Sequence, residues 1–277
     1  MPNASRAGAS IHYEVMGDGP PLVLLEGLGY GPWMWRHQRE ELGRAHRLLL
    51  VDNRGIPPST PLAAPYSIGE FALDVFAVLK TEGIDRASLL GVSMGGFIAQ
   101  AIAAIAPERI DRLILVSTSA GGPDSAPMPA QTWAELTRVV PGESEDDRLR
   151  RTMALALTPG FPTHRAEEFE AILRDGRRAP MAPGQWAIQA AAAAGFDGLA
   201  AAPRLRAPCL VVAGTEDRVL PWTNSLLLFR ALPQPQLLLF REQNHLLFLE
   251  RAVEFNREVR TFLERPPAER AGVREVN

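Results

Sequence analysis

The stretch Gly91-Val92-Ser93-Met94-Gly95 joins a short apolar run at 87–90 to a helical pattern that begins at Met94. In this G-x-S-x-G pattern the serine sits on a sharp turn between a strand and a helix, which exposes its hydroxyl group. The two glycines leave room at a point where a Cβ atom would crowd the backbone. The pattern is common by chance, but its position between a strand and a helix predicts that Ser93 is a nucleophile.

The rest of the chain alternates short apolar runs with amphipathic stretches, which is typical of a parallel sheet flanked by helices. Runs that are apolar throughout, such as 113–117, indicate strands that are covered on both faces. A predicted helix over 67–82 begins with Ser67 and Glu70 at the spacing of a capping box. The other predicted strands lie at 11–16, 22–26, 47–52, 87–90, 209–214 and 236–240.

The regular alternation stops after residue 120. Residues 121–184 contain Pro- and Gly-rich joints and two charged helical segments, which predicts an inserted helical cap. The α/β core then comprises residues 1–120 and 185–264. The charged, Pro-containing end of the chain, 265–277, is predicted to be a flexible tail.

The composition argues against several classes of function. The net charge is −3 at pH 7, so no broad basic surface is expected to bind nucleic acid or an anionic membrane. No apolar run approaches the roughly 20 residues of a membrane span, and residues 1–10 lack the apolar segment of a signal peptide. The single cysteine, Cys209, lies in an apolar run and is predicted to be a buried thiol. We therefore expect a soluble, cytoplasmic protein, and the oligomeric state stays open.

A serine hydroxyl needs a base that removes its proton, and His245 is the strongest candidate among the five histidines. It follows the predicted strand 236–240 across a short polar loop and precedes the last helix. This position lies at the carboxyl edge of the sheet, where Ser93 also lies and where open α/β folds carry their sites. The remaining histidines have ordinary structural interpretations: His12, His37, His46 and His164.

The base in turn needs a carboxylate that fixes its tautomer. Asp217 follows the predicted strand 209–214 at the same edge, and the order Ser93, Asp217, His245 along the chain is the one expected for a serine on such a turn. Glu216 is adjacent, but neighbouring side chains on an extended turn diverge, so one of the two faces the histidine. We predict that Asp217 is the acid.

These motifs together resemble the α/β-hydrolase superfamily over nearly the whole chain, apart from the predicted cap. Within it, the sequence is similar to the bacterial group of esterases, enol-lactone hydrolases and cofactor-free haloperoxidases. The resemblance implies a mostly parallel, eight-stranded sheet and an oxyanion hole formed by the backbone N–H groups of Leu28 and Met94. The matching segments are Gly27-Leu28-Gly29 with Trp35, Asp52-Asn53-Arg54-Gly55, Leu90-Gly91-Val92-Ser93-Met94-Gly95-Gly96, Gly214-Thr215-Glu216-Asp217 and Asn244-His245.

Two positions depart from the family pattern. Family members often have His-Gly where this chain has Glu26-Gly27, and many continue the Arg-Gly loop with Gly-x-Ser where this chain has Ile56-Pro57-Pro58-Ser59. An ionised Glu26 aimed at the oxyanion hole would repel the developing negative charge. Catalysis therefore requires that Glu26 caps loop amides, pairs with a cation such as Arg54, or stays protonated through burial. A direct role of Glu26 in substrate binding or acid catalysis is the alternative.

Large side chains in the loops and the cap are expected to line the substrate pocket, although each of them can instead join cap to core. A pocket rich in Trp and Met favours a small apolar acyl or ring-bearing substrate. The sequence has no cluster with metal-ligand spacing and no phosphate-binding loop with a lysine, so neither a metal nor a cofactor is expected. The candidate pocket residues are Glu26, Trp33, Met94, Trp133, Trp186, Trp222 and Leu246.

The resulting prediction is a serine hydrolase that cleaves a small ester or lactone through an acyl-enzyme intermediate. The same triad can instead transfer the acyl group to hydrogen peroxide, or serve a lyase or cyclisation reaction in a biosynthetic pathway. A third interpretation is a ligand-binding protein without activity. That interpretation normally accompanies the loss of a triad residue, and none is lost here.

Overall fold

The computed structural model describes residues 2–63, 65–178, 180–182, 184–264 and 272–277. In these residues nine strands form a single sheet. The strands are β1 (Asn3–Arg6), β2 (Ala9–Met16), β3 (Pro21–Leu25), β4 (Arg47–Val51), β5 (Ala87–Val92), β6 (Ile110–Val116), β7 (Cys209–Gly214), β8 (Pro235–Phe240) and β9 (Gly272–Val276).

The strand order across the sheet is β1-β2-β4-β3-β5-β6-β7-β8-β9. The pairs β1–β2 and β2–β4 are antiparallel, and the other six pairs are parallel. Leu89 and Leu90 of β5 are both fully buried, but they belong to apolar clusters on opposite faces of the sheet. A parallel sheet that is covered on both faces explains why its strands are apolar throughout. The predicted α/β fold is confirmed.

The described residues contain eleven α-helices, and helices pack against both faces of the sheet. Phe71 and Ile98 lie in the cluster of Leu89, whereas Phe255 lies in the cluster of Leu90. The helices are α1 (Arg39–Gly43), α2 (Ile68–Thr81), α3 (Met94–Ile105), α4 (Ala130–Thr137), α5 (Glu145–Ala156), α6 (Phe161–His164), α7 (Ala166–Gly176), α8 (Gln185–Ala194), α9 (Thr223–Ala231), α10 (Leu247–Glu250) and α11 (Ala252–Glu264).

Helix α2 begins where the capping signal predicts. The Ser67 hydroxyl oxygen accepts a hydrogen bond from the Glu70 backbone N–H at 3.2 Å. The Glu70 carboxylate, however, pairs with Arg6 on β1 at 2.5 Å. The hydroxyl half of the capping box is therefore present. The Glu70 carboxylate, which would complete the box, instead binds Arg6 and links β1 to α2.

The C-terminal end of the chain differs from the predicted flexible tail. Residues 265–271 lie outside the described residues, but Gly272–Val276 form β9, which pairs with β8 in parallel. The backbone N–H of Arg241 donates to the Val276 oxygen at 2.9 Å, and Arg241 also pairs with Glu275 at 2.9 Å. The sheet therefore has nine strands where the resemblance implied eight, and the edge strands β1 and β9 are both absent from the strands predicted along the sequence. The strand β9 was not predicted because its exposed side chains include charged ones. An exposed edge strand does not require an apolar pattern.

The long connection between β6 and β7 carries five helices, from α4 to α8. The prediction of a separate cap over 121–184 stays a prediction; Ala179 and Pro183 within it lie outside the described residues. Helices α5 and α7 correspond to the two charged helical segments predicted here, whereas α4 and the short α6 are additions to them. Among the described helices, none combines the length and the apolar character needed to cross a bilayer.

Cys209 is the first residue of β7 and is buried at 1% exposure. Burial in apolar surroundings raises the pKa of its thiol well above the ordinary range. The thiol is therefore kept in its neutral, unreactive form.

Candidate active site

Ser93 lies on the turn between β5 and α3 with φ +55° and ψ −119°, a backbone conformation that side-chain-bearing residues rarely adopt. The turn is tight: a Cβ atom at Gly91 would lie 2.2 Å from the Gly95 oxygen, and one at Gly95 would lie 2.1 Å from the Leu25 oxygen. Only glycine fits at these two positions. The G-x-S-x-G pattern is thus a consequence of backbone packing, and it holds Ser93 half-buried at the carboxyl end of β5.

The end of β6 connects Ser93 with His245. The backbone N–H of Ser93 donates to the Val116 oxygen at 2.9 Å. The next residue, Ser117, donates its hydroxyl to the His245 backbone oxygen at 2.8 Å. Adjacent residues of one strand end therefore hold the backbones of the predicted nucleophile and the predicted base, which brings both to the same edge of the sheet.

His245 and Asp217 lie side by side in the loops that follow β8 and β7. Their side chains are 4% and 0% exposed, and His245 Nδ1 lies 2.8 Å from Asp217 Oδ2. The other carboxylate oxygen accepts hydrogen bonds from the backbone N–H groups of Val219 at 2.8 Å and Leu220 at 2.9 Å. A carboxylate beside Nδ1 favours the tautomer with its proton on that nitrogen, which leaves Nε2 as an acceptor.

Glu216 is exposed and takes no part in this pair. Its backbone N–H donates to the Gln243 oxygen at 2.9 Å, which fixes the loop so that Asp217 turns inwards. The geometry agrees with the preference for Asp217 over its neighbour as the partner of His245.

Asn244 holds the histidine loop in place. It is fully buried; its amide oxygen accepts from the Arg218 N–H at 2.9 Å, and its amide nitrogen donates to the carbonyl oxygens of Leu155 and Leu157 at 2.9 and 2.7 Å. The side chain thus ties the loops of His245 and Asp217 to the end of α5. The sequence singles out Asn244 next to His245, but partners some 90 residues away give no sequence signal.

The loop after β3 forms a turn over Gly27, Leu28, Gly29 and Tyr30. The Tyr30 N–H donates to the Gly27 oxygen at 3.2 Å, and Gly29 has φ +79°, as in a type II turn. A Cβ atom at Gly27 would lie 3.5 Å from Ser93 Cβ, so the turn passes directly beside the serine. Leu28 therefore occupies the position from which its N–H is predicted to serve an oxyanion hole.

The side chain of Gln189 on α8 is hydrogen-bonded to this turn. It is fully buried, and its Oε1 accepts from the Gly29 N–H at 3.0 Å while its Nε2 donates to the Arg54 oxygen at 2.9 Å. Its contact with Gly29 spans 160 residues of sequence. Gln189 was not singled out in the sequence, where it is one polar residue in an alanine-rich helix.

Met94, the second predicted oxyanion residue, is the first residue of α3. The N–H groups of the first helical turn have no partner within the helix, and the N-terminus carries partial positive charge. The Met94 N–H is thus placed beside Ser93 at the end of a helix that favours negative charge.

Glu26 is buried with 0% exposure at the end of β3. Among the described residues its Oε1 has no hydrogen-bond partner, and its Oε2 receives only a long contact of 3.4 Å from Asn53 Nδ2. Burial raises the pKa of Glu26 well above its usual value, and repulsion by Asp52 raises it further. Burial and this repulsion therefore both favour the neutral form of the carboxyl group.

The neighbouring charged groups are engaged elsewhere. Arg54 pairs with Asp74 at 2.7 Å, so the proposed pairing of Glu26 with Arg54 is wrong. Asp52 is hydrogen-bonded to His12 Nδ1, and burial raises the pKa of Asp52 to about 6 although this hydrogen bond lowers it. Of the three arrangements considered for Glu26, the structure supports protonation through burial.

Apart from Glu26 and Met94, whose positions are given above, the candidate pocket residues fall into two groups. Trp186 reaches the turn formed by Gly27, Leu28, Gly29 and Tyr30, since a Cβ atom at Gly29 would lie 3.1 Å from its Cδ1. Its ring centroid lies 6.3 Å from that of Trp133. Trp33 packs edge-on against Tyr30 at 5.4 Å between centroids. These three tryptophans thus cluster around the turn.

The other two candidates have packing roles in the structure. Trp222 precedes α9 and packs against the apolar cluster that contains Leu89. Leu246 is buried in the opposite cluster, and its N–H donates to the Ala156 oxygen at 3.0 Å. Among the described residues, no group of three or more His, Cys, Asp or Glu side chains is arranged to hold a metal ion.

Comparison with known proteins agrees with this architecture. The family model for the alpha/beta hydrolase fold matches residues 20–252. A relative from Stutzerimonas stutzeri (strain A1501) that carries the name carbamate hydrolase RutD is 28% identical over 270 residues, covering 89% of this chain and 94% of the relative.

Two solved structures illustrate the likeness. The enol-lactonase from Burkholderia xenovorans LB400 has a TM-score of 0.83 and 25% identity, covering 95% of this chain and 100% of that chain. Est816, described as an N-acyl homoserine lactone degrading enzyme, has a TM-score of 0.78 and 26% identity, covering 94% and 100%. With a family match over most of its length, this chain belongs to the α/β-hydrolase family.

Proposed function

We propose that this hydrolase cleaves a small ester or lactone with Ser93 as nucleophile, His245 as base and Asp217 as the acid that orients the base. The observation that carries the proposal is the joint placement of these residues. A strained serine at the strand–helix turn and a buried His–Asp pair are held by adjacent residues at the end of β6. This combination is the one that a serine nucleophile needs.

In the first half of the reaction, His245 Nε2 takes the proton of the Ser93 hydroxyl as its oxygen attacks the substrate carbonyl carbon. The carbonyl π electrons move onto oxygen, where the N–H groups of Leu28 and Met94 stabilise the negative charge. When the tetrahedral intermediate collapses, the bond from carbon to the leaving oxygen breaks. His245 then gives its proton to that oxygen, and an acyl-Ser93 ester remains.

The second half repeats these steps with water. His245 removes a proton from water, the resulting oxygen attacks the acyl carbon, and the Ser93 oxygen leaves with the proton from His245. Asp217 stays ionised throughout and stabilises the imidazolium that forms twice. Burial favours the neutral form of Glu26, in which no fixed negative charge opposes the oxyanion.

The aromatic cluster of Trp33, Trp133 and Trp186 around the oxyanion turn favours an apolar acyl or ring-bearing substrate. The enol-lactonase and lactonase names of the two structural neighbours make lactones a natural part of the test. The carbamate hydrolase name of the relative adds a carbamate to it.

The test is a panel of p-nitrophenyl esters of increasing acyl length, a set of lactones and one aryl carbamate, each with the wild-type protein and with Ser93→Ala. We expect turnover of at least one ester or lactone by the wild type and none by the variant. A fluorophosphonate should label Ser93, which peptide mass spectrometry locates. Turnover that survives Ser93→Ala, or labelling at another serine only, would contradict the proposal.

A further inference from the structure

We infer that Gln189 is a positioning residue for the oxyanion hole: it fixes the turn that carries the Leu28 N–H although it does not itself touch the reacting atoms. The inference rests on the proposed function and adds to it a residue of α8, outside the loops that carry the triad. Its basis is the buried pair of hydrogen bonds from Gln189 to Gly29 and to Arg54.

The first step concerns the turn itself. In a type II turn the central peptide, here Leu28–Gly29, can rotate between two orientations that differ little in energy unless a partner selects one. The Gly29 N–H donates to Gln189 Oε1 at 3.0 Å, so Gln189 selects the orientation that is observed. The preceding peptide is fixed by the Tyr30 N–H, which donates to the Gly27 oxygen. Since N–H and C=O point in opposite directions in a trans peptide, this bond directs the Leu28 N–H out of the turn.

The second step concerns the orientation of the Gln189 amide. One of its ends faces an N–H donor and the other faces a carbonyl acceptor, so only one of the two amide orientations satisfies both. The carbonyl belongs to Arg54, whose side chain is itself anchored to Asp74 at 2.7 Å. Gln189 thus connects the loop after β3 to the loop after β4 through two hydrogen bonds. Because these bonds are buried, water cannot take their place if the side chain is removed.

The third step concerns the space around Gly29. Trp186 packs against its Cα, where a Cβ atom would approach to 3.1 Å, while Gln189 holds its N–H. One helix therefore contacts the turn through two side chains three residues apart, on neighbouring positions of the helix surface. The turn passes beside the Ser93 Cβ. A turn that shifts when this contact is lost would therefore move the Leu28 N–H relative to Ser93.

The same helix offers a matched control. Gln185 lies one turn earlier on α8, and its amide also bridges backbone groups: Oε1 accepts from the Leu62 N–H at 2.6 Å and Nε2 donates to the Leu62 oxygen at 3.2 Å. It contacts the loop after β4 and not the turn at Gly29. A change at Gln185 removes a similar amide from the same helix without removing the bond to the oxyanion turn.

The experiment compares Gln189→Met, Gln189→Glu and Gln185→Met with the wild type in three measurements. Hydrogen exchange of the Gly29 amide, followed by NMR, reports the bond without any turnover. The second-order rate of Ser93 phosphonylation by a fluorophosphonate reports the oxyanion hole. Steady-state kinetics on the best p-nitrophenyl ester separate kcat from KM, and thermal unfolding reports folding.

Gln189→Met should accelerate Gly29 exchange, slow Ser93 phosphonylation and lower kcat with little change in KM. The loss should be roughly 10- to 100-fold, since a displacement of about 1 Å in a catalytic group costs on the order of 10², while removal of an oxyanion donor costs about 10²–10³. Gln185→Met should leave phosphonylation within a small factor of wild type. Gln189→Glu keeps an acceptor for the Gly29 N–H, so it should restore much of the rate lost in Gln189→Met.

Equal phosphonylation rates and equal kcat in Gln189→Met and Gln185→Met would overturn the inference. If Gln189→Met does not fold, Gln189→Glu decides: a variant that folds, keeps Gly29 protected and still loses Ser93 reactivity contradicts the role of the acceptor. Absence of wild-type labelling at Ser93 would remove the proposed function, and this inference with it. Labelling of the wild type with an unaffected Gln189→Met would remove the inference alone.

Discussion

Asp217 holds His245 with one carboxylate oxygen and its own loop with the other. Oδ2 lies 2.8 Å from His245 Nδ1, while Oδ1 accepts the N–H groups of Val219 and Leu220 at 2.8 and 2.9 Å. The Asp217 carboxylate is thus fixed in place by its own loop, and no side-chain rotation is needed to form its pair with His245.

Asp217→Asn should therefore lower kcat by roughly 10²–10⁴, because the amide nitrogen can face His245 and stabilise the tautomer with the wrong nitrogen protonated. Glu216→Gln is the matched control: the side chain is exposed, and its loss of charge should leave kcat nearly unchanged. The measurement is steady-state hydrolysis of an activated ester over a range of pH. A larger loss from Glu216→Gln than from Asp217→Asn would place the acid one residue earlier.

The strained turn predicts a difference between two inactive variants of Ser93. Both Ser93→Ala and Ser93→Gly remove the hydroxyl, but only glycine adopts φ +55°, ψ −119° without cost. Strain of this kind is about 1–3 kcal/mol, and the greater freedom of glycine in the unfolded chain takes back roughly 0.5–1 kcal/mol. Ser93→Gly should thus be the more stable of the two by about 1 kcal/mol in chemical denaturation. Equal stability would mean that the turn relaxes without the serine.

Glu26 should make stability depend on pH. An unperturbed Glu titrates near 4.5, whereas burial raises the pKa of Glu26 well above that value in the folded protein. Between the two pKa values the folded protein holds a proton that the unfolded chain has released, so the free energy of unfolding falls as pH rises. Glu26→Gln cannot ionise and should escape this loss. Its stability relative to wild type should rise as the pH increases above about 5.

The comparison requires unfolding curves of Glu26→Gln, wild type and the exposed variant Glu216→Gln at several pH values. A stability difference for Glu26→Gln that does not vary with pH would show that Glu26 titrates in the folded state as it does in the unfolded chain. Activity should stay within about tenfold of wild type, or 1.4 kcal/mol of barrier. A greater loss of activity, with one limb of the pH–rate profile missing, would make Glu26 a chemical participant.

The aromatic pair of Trp133 and Trp186 should affect substrate preference more than stability. Trp133 is 50% exposed and contacts the Trp186 ring, so Trp133→Ala should change the unfolding free energy by no more than about 0.5 kcal/mol. Its loss should raise KM for aryl or long acyl esters and leave acetate esters nearly unaffected. Val139→Ala, at an exposed position of the same segment, serves as the control. A uniform effect across all acyl groups would argue against contact with the acyl chain.

The sequence predicts the central strands and the nucleophile turn because both depend on local patterns. Apolar runs, flanking glycines and the Ser67 cap are local signals, and the structure has β5, α3 and α2 close to the predicted positions. The edge strands β1 and β9 are missed because their short, largely exposed sequences lack the pattern of a buried strand.

The sequence predicts those residues of the candidate site whose type and position at a strand end indicate a chemical role. Ser93, Asp217 and His245 stand at the ends of predicted strands, so topology alone brings them together. Gln189 and Asn244 act through hydrogen bonds to backbone groups about 90 to 160 residues away, which leave no periodic signal. The state of Glu26 likewise depends on what surrounds it, since its neighbour Arg54 is committed to Asp74.

The burial of Cys209 has a practical consequence for spectroscopy. Because the only thiol of the chain is enclosed in β7 and kept protonated, maleimide reagents should leave the native protein unmodified. A cysteine introduced at an exposed position, such as Val253→Cys on α11 or Val139→Cys, then becomes the single attachment point for a fluorophore. Dyes can be placed one at a time without removing the native cysteine, so the apolar contacts of β7 remain intact while the surroundings of each labelled position are followed in solution.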